Sequence, residues 1–109
     1  MNLNLCKEGT TVTISKTVDG NKLTILLEGR LDSTTATQLE AELKHSLEGI
    51  TELVLDFSGL EYLSSAGLRV ILGAQRVMKK QGGMLIRNVN ETIMKVFEIT
   101  GFADILTIN

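Results

Sequence analysis

One stretch decides the fold and holds the candidate site: Asp56-Phe57-Ser58-Gly59-Leu60-Glu61-Tyr62-Leu63-Ser64-Ser65-Ala66-Gly67-Leu68-Arg69-Val70. It follows a short apolar run, Leu53-Val54-Leu55, that is typical of a buried β-strand. Asp56, Ser58 and Gly59 then indicate a turn, and from Leu68 onward the apolar residues recur at helical spacing. The stretch therefore predicts a strand that passes through a turn into a helix, with a pair of serines at the start of that helix.

The rest of the chain alternates strands and helices after an opening hairpin. Period-two alternation in Thr11–Ser15 and Lys22–Leu27, with Asp19-Gly20 between them, predicts two antiparallel strands. Further strands are predicted over 52–57, 84–87 and 106–108. Three helices are predicted: one from the capping residues 32–35 to about Gly49, one over 65–81, and one over 91–100. The third helix is expected to lie between an N-cap at Asn90 and a C-cap at Gly101. Because strands joined through helices pair in parallel, we expect an α/β fold: a mixed, mostly parallel sheet of about five strands with three to four helices packed on it.

The two serines differ in where a helical wheel places them. At about 100° per residue, Ser64 precedes the apolar side of the second helix, where its hydroxyl can accept from the N–H of Ala66 or Gly67. Ser65 projects on the polar side, and Arg69 follows it at i+4. A phosphate on Ser65 would lie within one turn of that guanidinium and near the positive end of the helix dipole. Ser65 is thus predicted to be the exposed hydroxyl, while helix capping alone remains an alternative role for both serines.

This stretch resembles the signature of the STAS domain family, and most of all its small bacterial members, the anti-sigma factor antagonists. The resemblance extends over nearly the whole chain, through Gly29-Arg30-Leu31-Asp32, Asp56, the serine pair, Gly82-Gly83 and Ile99-Thr100-Gly101-Phe102. It implies the STAS fold, one STAS domain over residues 1–109, and a function in protein binding rather than catalysis. The well-known antagonists carry Asp-Ser-Ser-Gly and are phosphorylated on the serine before the glycine, a position that Ala66 occupies here.

The resemblance also implies what the domain binds. An unmodified antagonist captures an anti-sigma factor of the histidine-kinase-like ATPase class and so frees a sigma factor. That kinase phosphorylates the serine loop, and a PP2C-type phosphatase reverses the modification. Since Ala66 has no hydroxyl, the candidates for phosphorylation are Ser65 and then Ser64. The implied partner-binding residues are Asp32, Ser58, Ser64, Ser65, Ala66, Gly67 and Arg69, and no catalytic residue, cofactor or metal is expected.

Two other functions remain open. Ala66 favours an accessory subunit of a membrane transport complex, such as an ABC-type lipid transporter, in which the same helix face docks on an ATPase without phosphorylation. The start of the second helix could instead hold phosphate or nucleotide in a small-ligand sensor. An enzyme is not expected, because the sequence has no P-loop, no Gly-x-Ser-x-Gly elbow and no dinucleotide glycine pattern.

Composition argues against further classes of function. The chain has 11 Lys and Arg against 13 Asp and Glu, a formal net charge of −2, whereas a nucleic-acid-binding surface needs a basic stripe. The single cysteine, Cys6, has no partner for an internal disulfide, which suits a reducing compartment. Met1–Lys7 lacks the basic and apolar regions of a signal peptide, and no apolar run approaches membrane-spanning length. We therefore expect a cytoplasmic protein that neither binds nucleic acid nor inserts directly into a membrane.

Overall fold

The computed structural model describes residues 12–108, in which an opening hairpin is followed by alternating helices and strands. In chain order the elements are β1 (Val12–Asp19), β2 (Lys22–Leu31), α1 (Ala36–Ser46), β3 (Glu52–Leu63), α2 (Ser65–Gln81), β4 (Gly83–Arg87), α3 (Glu91–Thr100) and a 3-10 turn (Phe102–Asp104). The predictions made for Thr11, Cys6 and Met1–Lys7 lie outside the described residues. Within residues 12–108, none of the helices combines the length and apolar character needed to cross a membrane.

The four strands form one mixed sheet in the order β1-β2-β3-β4. β1 and β2 are antiparallel, and Asp19 pairs with Lys22 across their turn. Gly20 in this turn has a φ of 63°, in the left-handed region that tight hairpin turns use. β3 and β4 pair in parallel with their neighbours, which requires the crossovers that α1 and α2 provide. The prediction of a mixed sheet opened by an antiparallel hairpin is confirmed.

The hydrophobic core lies between one face of this sheet and the helices. Alternate residues of β2 and β3 point into it, and the rings of Phe57 and Phe97 lie with their centroids 6.3 Å apart. The largest fully buried side chains include Leu23, Ile25, Leu27, Leu31, Leu39, Leu53, Leu55, Phe57, Leu60, Ile71, Met78 and Phe97. The alternation of buried residues along β2 fixes the strand register, because a slip of one residue would turn every side chain of the strand to the opposite face of the sheet. The register in turn fixes where each loop leaves the sheet.

β3 is longer than the sequence predicts. It continues through Ser58 and Gly59 to Leu63, so the turn predicted at Ser58 and Gly59 is wrong. The register against β2 shifts twice in this part of β3, which is the signature of β-bulges, and bulges let a strand keep its pairing while it carries extra residues. Gly59 does not occupy the left-handed region. A Cβ at this position would lie 2.6 Å from Cγ of the exposed Glu28, so a side chain here would require the Glu28 side chain to move.

Two other boundaries differ from the prediction. The expected fifth strand at 106–108 is reduced to a single parallel bridge between Ile86 and Ile108. The helix expected to reach about Gly49 ends at Ser46. Gly49 lies beyond it with a φ of 79°, a left-handed conformation that a continuing helix does not contain. The described sheet therefore has four strands rather than about five, with three α-helices and one 3-10 turn.

Side chains close several helix ends. Asn90 caps α3 through its side chain, and Gly101 ends that helix with a φ of 82°, so both predicted caps are confirmed. The last residue of α2, Gln81, does more than end its own helix. Its Nε2 donates to the carbonyl of Leu47 at 2.9 Å and to that of Ile50 at 2.7 Å. This pair of hydrogen bonds ties the end of α2 to the loop between α1 and β3.

Candidate functional site

The serine pair lies where β3 ends and α2 begins, beside the loop that leads from β2 to α1. The backbone N–H of Ser64 donates to the carbonyl of Leu31 at 2.9 Å, which joins the ends of these two parallel strands. Asp32 directly follows Leu31, so the β2–α1 loop and the serine pair meet at the same edge of the sheet. In α/β sheets this carboxyl edge is where binding residues collect. We call the set Asp32, Ser64, Ser65, Ala66 and Arg69 the serine-loop surface.

The two serines have different environments. Ser64 is the N-cap of α2, and its hydroxyl accepts a hydrogen bond from the N–H of Gly67 at 3.2 Å. Ser65 is the first residue of the helix, and its side chain is exposed. The structure confirms the predicted cap and the predicted exposure. The hydroxyl of Ser64 is engaged in the hydrogen bond that caps α2, whereas the hydroxyl of Ser65 is exposed to solvent.

Gly67 has a packing role. It is buried, and a Cβ there would lie 2.8 Å from Cδ1 of Leu63 and 3.0 Å from Cδ2 of Leu31. A side chain at this position would therefore push the first turn of α2 away from the ends of β2 and β3. Gly67 was predicted among the partner-binding residues; it is buried, and its contact with a partner stays a prediction.

Arg69 and Ala66 complete the surface along α2. Arg69 is exposed and lies one turn after Ser65, where a basic side chain and an added negative group can interact. Ala66 is half-buried and has no hydrogen-bonding side chain. Together with Ser33 of the neighbouring loop, Ala66 and Arg69 line a shallow cavity of about 260 Å³ between the starts of α1 and α2. The helix start thus offers an exposed hydroxyl, a nearby cation and a concave surface.

Asp32 organises the β2–α1 loop. Its Oδ1 accepts from the backbone N–H of Thr34 at 2.9 Å and of Thr35 at 3.0 Å. Thr35 is buried, and its hydroxyl accepts a hydrogen bond from the N–H of Asp32 at 2.9 Å. The same hydroxyl donates to the carbonyl of Arg30 at 2.7 Å. The backbone hydrogen bond from Thr35 is the main cause that holds the pKa of Asp32 below its ordinary value of 3.8; Thr34 and the charge of Arg30 add to it, against partial desolvation. A contact of Asp32 with a partner stays a prediction.

This geometry predicts a pH dependence of stability. Because the folded-state pKa of Asp32 is lowered, ionised Asp32 stabilises the fold above its unfolded-state pKa, and the stabilisation is lost as the pH falls through and below about 4. We expect Asp32→Asn to be less stable than wild type at neutral pH and to lose less further stability on acidification. Urea unfolding at pH 7 and at a series of values from pH 5 to 3 measures the difference. Parallel pH profiles for the two proteins would contradict this assignment.

Asp56 lies inside β3 rather than at its end. Its Oδ1 accepts from the N–H of Ser58 at 2.9 Å and from Nδ2 of Asn88 at 3.0 Å, and Arg87 lies 3.4 Å from Oδ2. Burial alone would raise the pKa of Asp56, but the hydrogen bonds from Asn88, Ser58 and Arg87 outweigh it and lower the pKa. The predicted structural role of Asp56 in hydrogen bonding is confirmed, but the backbone amide that it satisfies belongs to β3 rather than to a loop. Ser58 is exposed but precedes Ser64 by roughly 20 Å of strand, so the fold does not bring Ser58 to the serine-loop surface.

Sequence reasoning missed one pair beside the site. The guanidinium of Arg30 lies over the ring of Tyr62, 4.3 Å from its centroid, and Tyr62 is 41% exposed. Exposed aromatic residues and arginine are enriched in protein interfaces. After Gly59, Leu60 and Leu63 are buried while Glu61 and Tyr62 are exposed, so the burial departs from strict alternation where the register against β2 shifts. No period-two signal in the sequence therefore marks Tyr62, and the strand was predicted to end at Phe57.

Titratable side chains elsewhere do not form a further centre in the described part of the chain. Across residues 12–108, no three His, Cys, Asp or Glu side chains lie close enough together to hold a metal ion. His45 is exposed on α1. The serine-loop surface is therefore the candidate site that sequence and structure share.

Comparison with known proteins agrees with this geometry. Residues 14–107 match the family described as "Mlab, STAS domain". BtrV of Bordetella bronchiseptica, provisionally named an anti-sigma factor antagonist, is 40% identical over 93 residues, which cover 84% of this chain and 79% of that protein. The anti-sigma-B factor antagonist of Bacillus subtilis is 32% identical over 90 residues, covering 82% and 83% of the two chains.

The fold is shared with solved structures as well. The crystal structure of an anti-sigma factor antagonist from Mycobacterium paratuberculosis superposes with a TM-score of 0.82 at 20% identity, over 90% of this chain and 85% of that one. The names of the two sequence relatives are those of regulators and agree with the expectation of a binding protein rather than an enzyme. The family match, the two relatives and the shared fold all identify the same domain: the chain belongs to the STAS domain family.

Proposed function

We propose that this STAS domain is an anti-sigma factor antagonist, which binds an anti-sigma factor through the serine-loop surface and thereby releases a sigma factor. Relatives that are 40% and 32% identical and carry this function in their names support the proposal. The observation that carries it here is the exposed hydroxyl of Ser65 at the start of a 17-residue helix. An uncharged, accessible polar group at that place suits contact with a partner and can be converted into a charged group by one modification.

The proposed switch is phosphorylation of Ser65 by the anti-sigma factor itself, a serine kinase with a histidine-kinase-like ATPase fold. The phosphate adds a charge of about −1.5 to −2, which the dipole of α2 and Arg69 stabilise on the free protein. The same charge must be desolvated when the surface is covered by a partner, so it weakens the complex. A PP2C-type phosphatase would restore the binding form. A cytoplasmic location, where all three proteins could meet, stays a prediction.

Ser65 is preferred to Ser64 as the acceptor for a physical reason. The Ser64 hydroxyl caps α2, and loss of a serine cap costs about 1 kcal/mol in typical helices. Modification of Ser64 would disturb that cap, whereas modification of Ser65 leaves it in place. Asp32, Ala66 and Arg69 are proposed as contacts around the acceptor, Gly67 sets its position from within the core, and Ser58 would lie at the margin of the contact area.

The experiment that tests the proposal uses the purified protein, the anti-sigma kinase and ATP. We expect one added phosphate, located on Ser65 by peptide mass spectrometry, and none on Ser65→Ala, while Ser64→Ala still accepts phosphate. The kinase must first be shown active on another substrate. Modification restricted to Ser64, or none at all, would rule out Ser65 as the switch.

A second candidate function is supported by Ala66, which stands where the resemblance places the phosphoacceptor. In that case the domain is an accessory subunit of a membrane transport complex and docks on its ATPase without phosphorylation. Co-purification separates the two candidates. The first requires a complex with an anti-sigma factor that ATP and the kinase activity dissolve, and the second requires a complex with a transporter ATPase that persists when ATP is added and in which Ser65 gains no phosphate.

A further inference from the structure

A second concave surface runs between α1 and α2, beyond the serine-loop surface. It encloses about 480 Å³. At its far end, Val77 is 41% exposed and lies twelve residues after Ser65, or roughly 18 Å along the helix. We call this surface the α1–α2 groove; its apolar lining consists of Leu43 from α1, Leu47 directly after α1, and Val70, Gly73, Ala74 and Val77 from α2.

The middle of the α1–α2 groove is open because of Gly73. A Cβ at this position would meet no atom within 4 Å, so nothing in the fold excludes a side chain there. Glycine inside a helix costs roughly 0.5–1 kcal/mol relative to alanine. The helix therefore contains a destabilising residue at a position where a larger side chain would narrow the groove.

The charges beside the groove have one sign on the α2 side. Every charged residue of α2 is basic. On a helical wheel at 100° per residue, Arg69, Arg76 and Lys80 lie within about 60° of Gly73, on the side of Gly73 opposite to Val70 and Ala74, and Arg69 also lines the groove itself. All three side chains are exposed, and we call them the basic rim. The α1 side of the groove carries charges of both signs: Glu40, Lys44 and Glu48.

We infer that the α1–α2 groove binds an amphipathic helical segment of a partner protein whose flank toward α2 is acidic. Apolar residues at i, i+4 and i+7 of such a segment would occupy the groove, and Asp or Glu beside them would meet the basic rim. A second copy of this chain fits less well, because it would bring the same concave groove and the same positive rim. Arg69 lies where the groove meets the serine-loop surface, but the inference does not depend on phosphorylation or on an anti-sigma partner.

Two synthetic peptides of about 18 residues provide the probe. Both carry the same leucine stripe at helical spacing, and their flanks carry either glutamates or lysines. In NMR titrations of the ¹⁵N-labelled protein, we expect the glutamate peptide to shift the signals of Leu43, Gly73 and Val77. It should bind at least tenfold more tightly than the lysine peptide, with an affinity that falls as salt is added. Ser65→Glu places its charge one turn from Arg69 only, so it should weaken this affinity far less than the loss of Arg76 and Lys80, which separates the groove from the proposed phosphorylation switch.

Variants locate the two interactions. Gly73→Leu should abolish peptide binding by filling the groove, while Gly73→Ala should melt at or above the wild-type temperature and show that the helix accepts a side chain there. The double change Arg76→Glu and Lys80→Glu should weaken binding of the glutamate peptide at least tenfold and improve that of the lysine peptide. Lys95→Glu on α3 is the matched control, and it should bind like wild type. The charge variants test the inference even if Gly73→Leu does not fold.

Four outcomes would overturn the inference. The first is equal binding of the two peptides, or no binding of either. The second is a set of shifts confined to Ser64, Ser65 and Ala66. The third is a response of the groove signals to dodecanoate with none to the peptides, which would indicate a site for small anionic amphiphiles. The fourth is a concentration-dependent shift of the groove signals without any peptide, which would indicate a second copy as the occupant.

Discussion

Gly82→Ala should lower the free energy of unfolding by about 3 kcal/mol or more, although it adds a single methyl group. The Cβ of an alanine at this position would collide with the carbonyl oxygen of Thr51 and would lie 3.0 Å from its Cα. That carbonyl cannot turn away freely, because it accepts the N–H of Gly83 at 3.0 Å. Relief therefore requires the end of α2 to separate from the start of β3.

Gly83→Ala is the matched control for this prediction. A Cβ on Gly83 would meet no atom within 4 Å, so we expect a change in stability below about 1 kcal/mol. Urea unfolding followed by circular dichroism measures both variants under one set of conditions. Equal stability of the two variants would show that the contact between residue 82 and Thr51 relaxes without cost, and that both glycines are retained for another reason.

Ser65→Glu should weaken capture of the anti-sigma partner by about tenfold or more and leave the thermal melt close to that of wild type. The side chain is exposed at the start of α2, where a negative charge is favoured by the helix dipole, usually by some tenths of a kcal/mol. In the complex the same charge is desolvated or meets acidic groups. Isothermal titration calorimetry with a verified partner, together with a melt, separates the two effects.

Leu68→Ala is the control variant, in which binding should fall only because the folded state is destabilised. Leu68 is 6% exposed and belongs to the core, and its truncation should cost about 2–5 kcal/mol of stability. Any loss of binding in this variant should follow the fraction that is unfolded. If Ser65→Glu melts like wild type and still binds with wild-type affinity, then the serine-loop surface does not recognise the partner.

The parts of the site that sequence predicted are local in the chain. A helix start is encoded in three or four consecutive residues, so the cap at Ser64 and the exposure of Ser65 could be derived from hydroxyl chemistry and helical spacing. The hairpin at Gly20 and the caps at Asn90 and Gly101 have the same local basis. For these features, the stabilising hydrogen bonds and backbone conformations lie within a few consecutive residues.

The parts that sequence missed depend on residues distant in the chain. Ser58 and Gly59 have the composition of a turn, and only pairing with β2 keeps them in a bulged strand. The pairing of Arg30 with Tyr62 likewise joins two strands. The α1–α2 groove depends on how two helices pack, which neither helix specifies alone. The predictions failed where β2 or a second helix, rather than local propensity, decided the outcome.

The hydrogen bonds of Gln81 also bear on how the protein opens in its native state. One amide group of α2 serves the carbonyls of Leu47 and Ile50, which lie more than thirty residues earlier in the chain. The loop that follows α1 therefore cannot separate from α2 without leaving the Gln81 donor unpaired, and α2 cannot fray at Gln81 without leaving two loop carbonyls unpaired. In amide hydrogen exchange the end of α2 and this loop would behave as one cooperative unit, protected or exposed together, rather than opening independently.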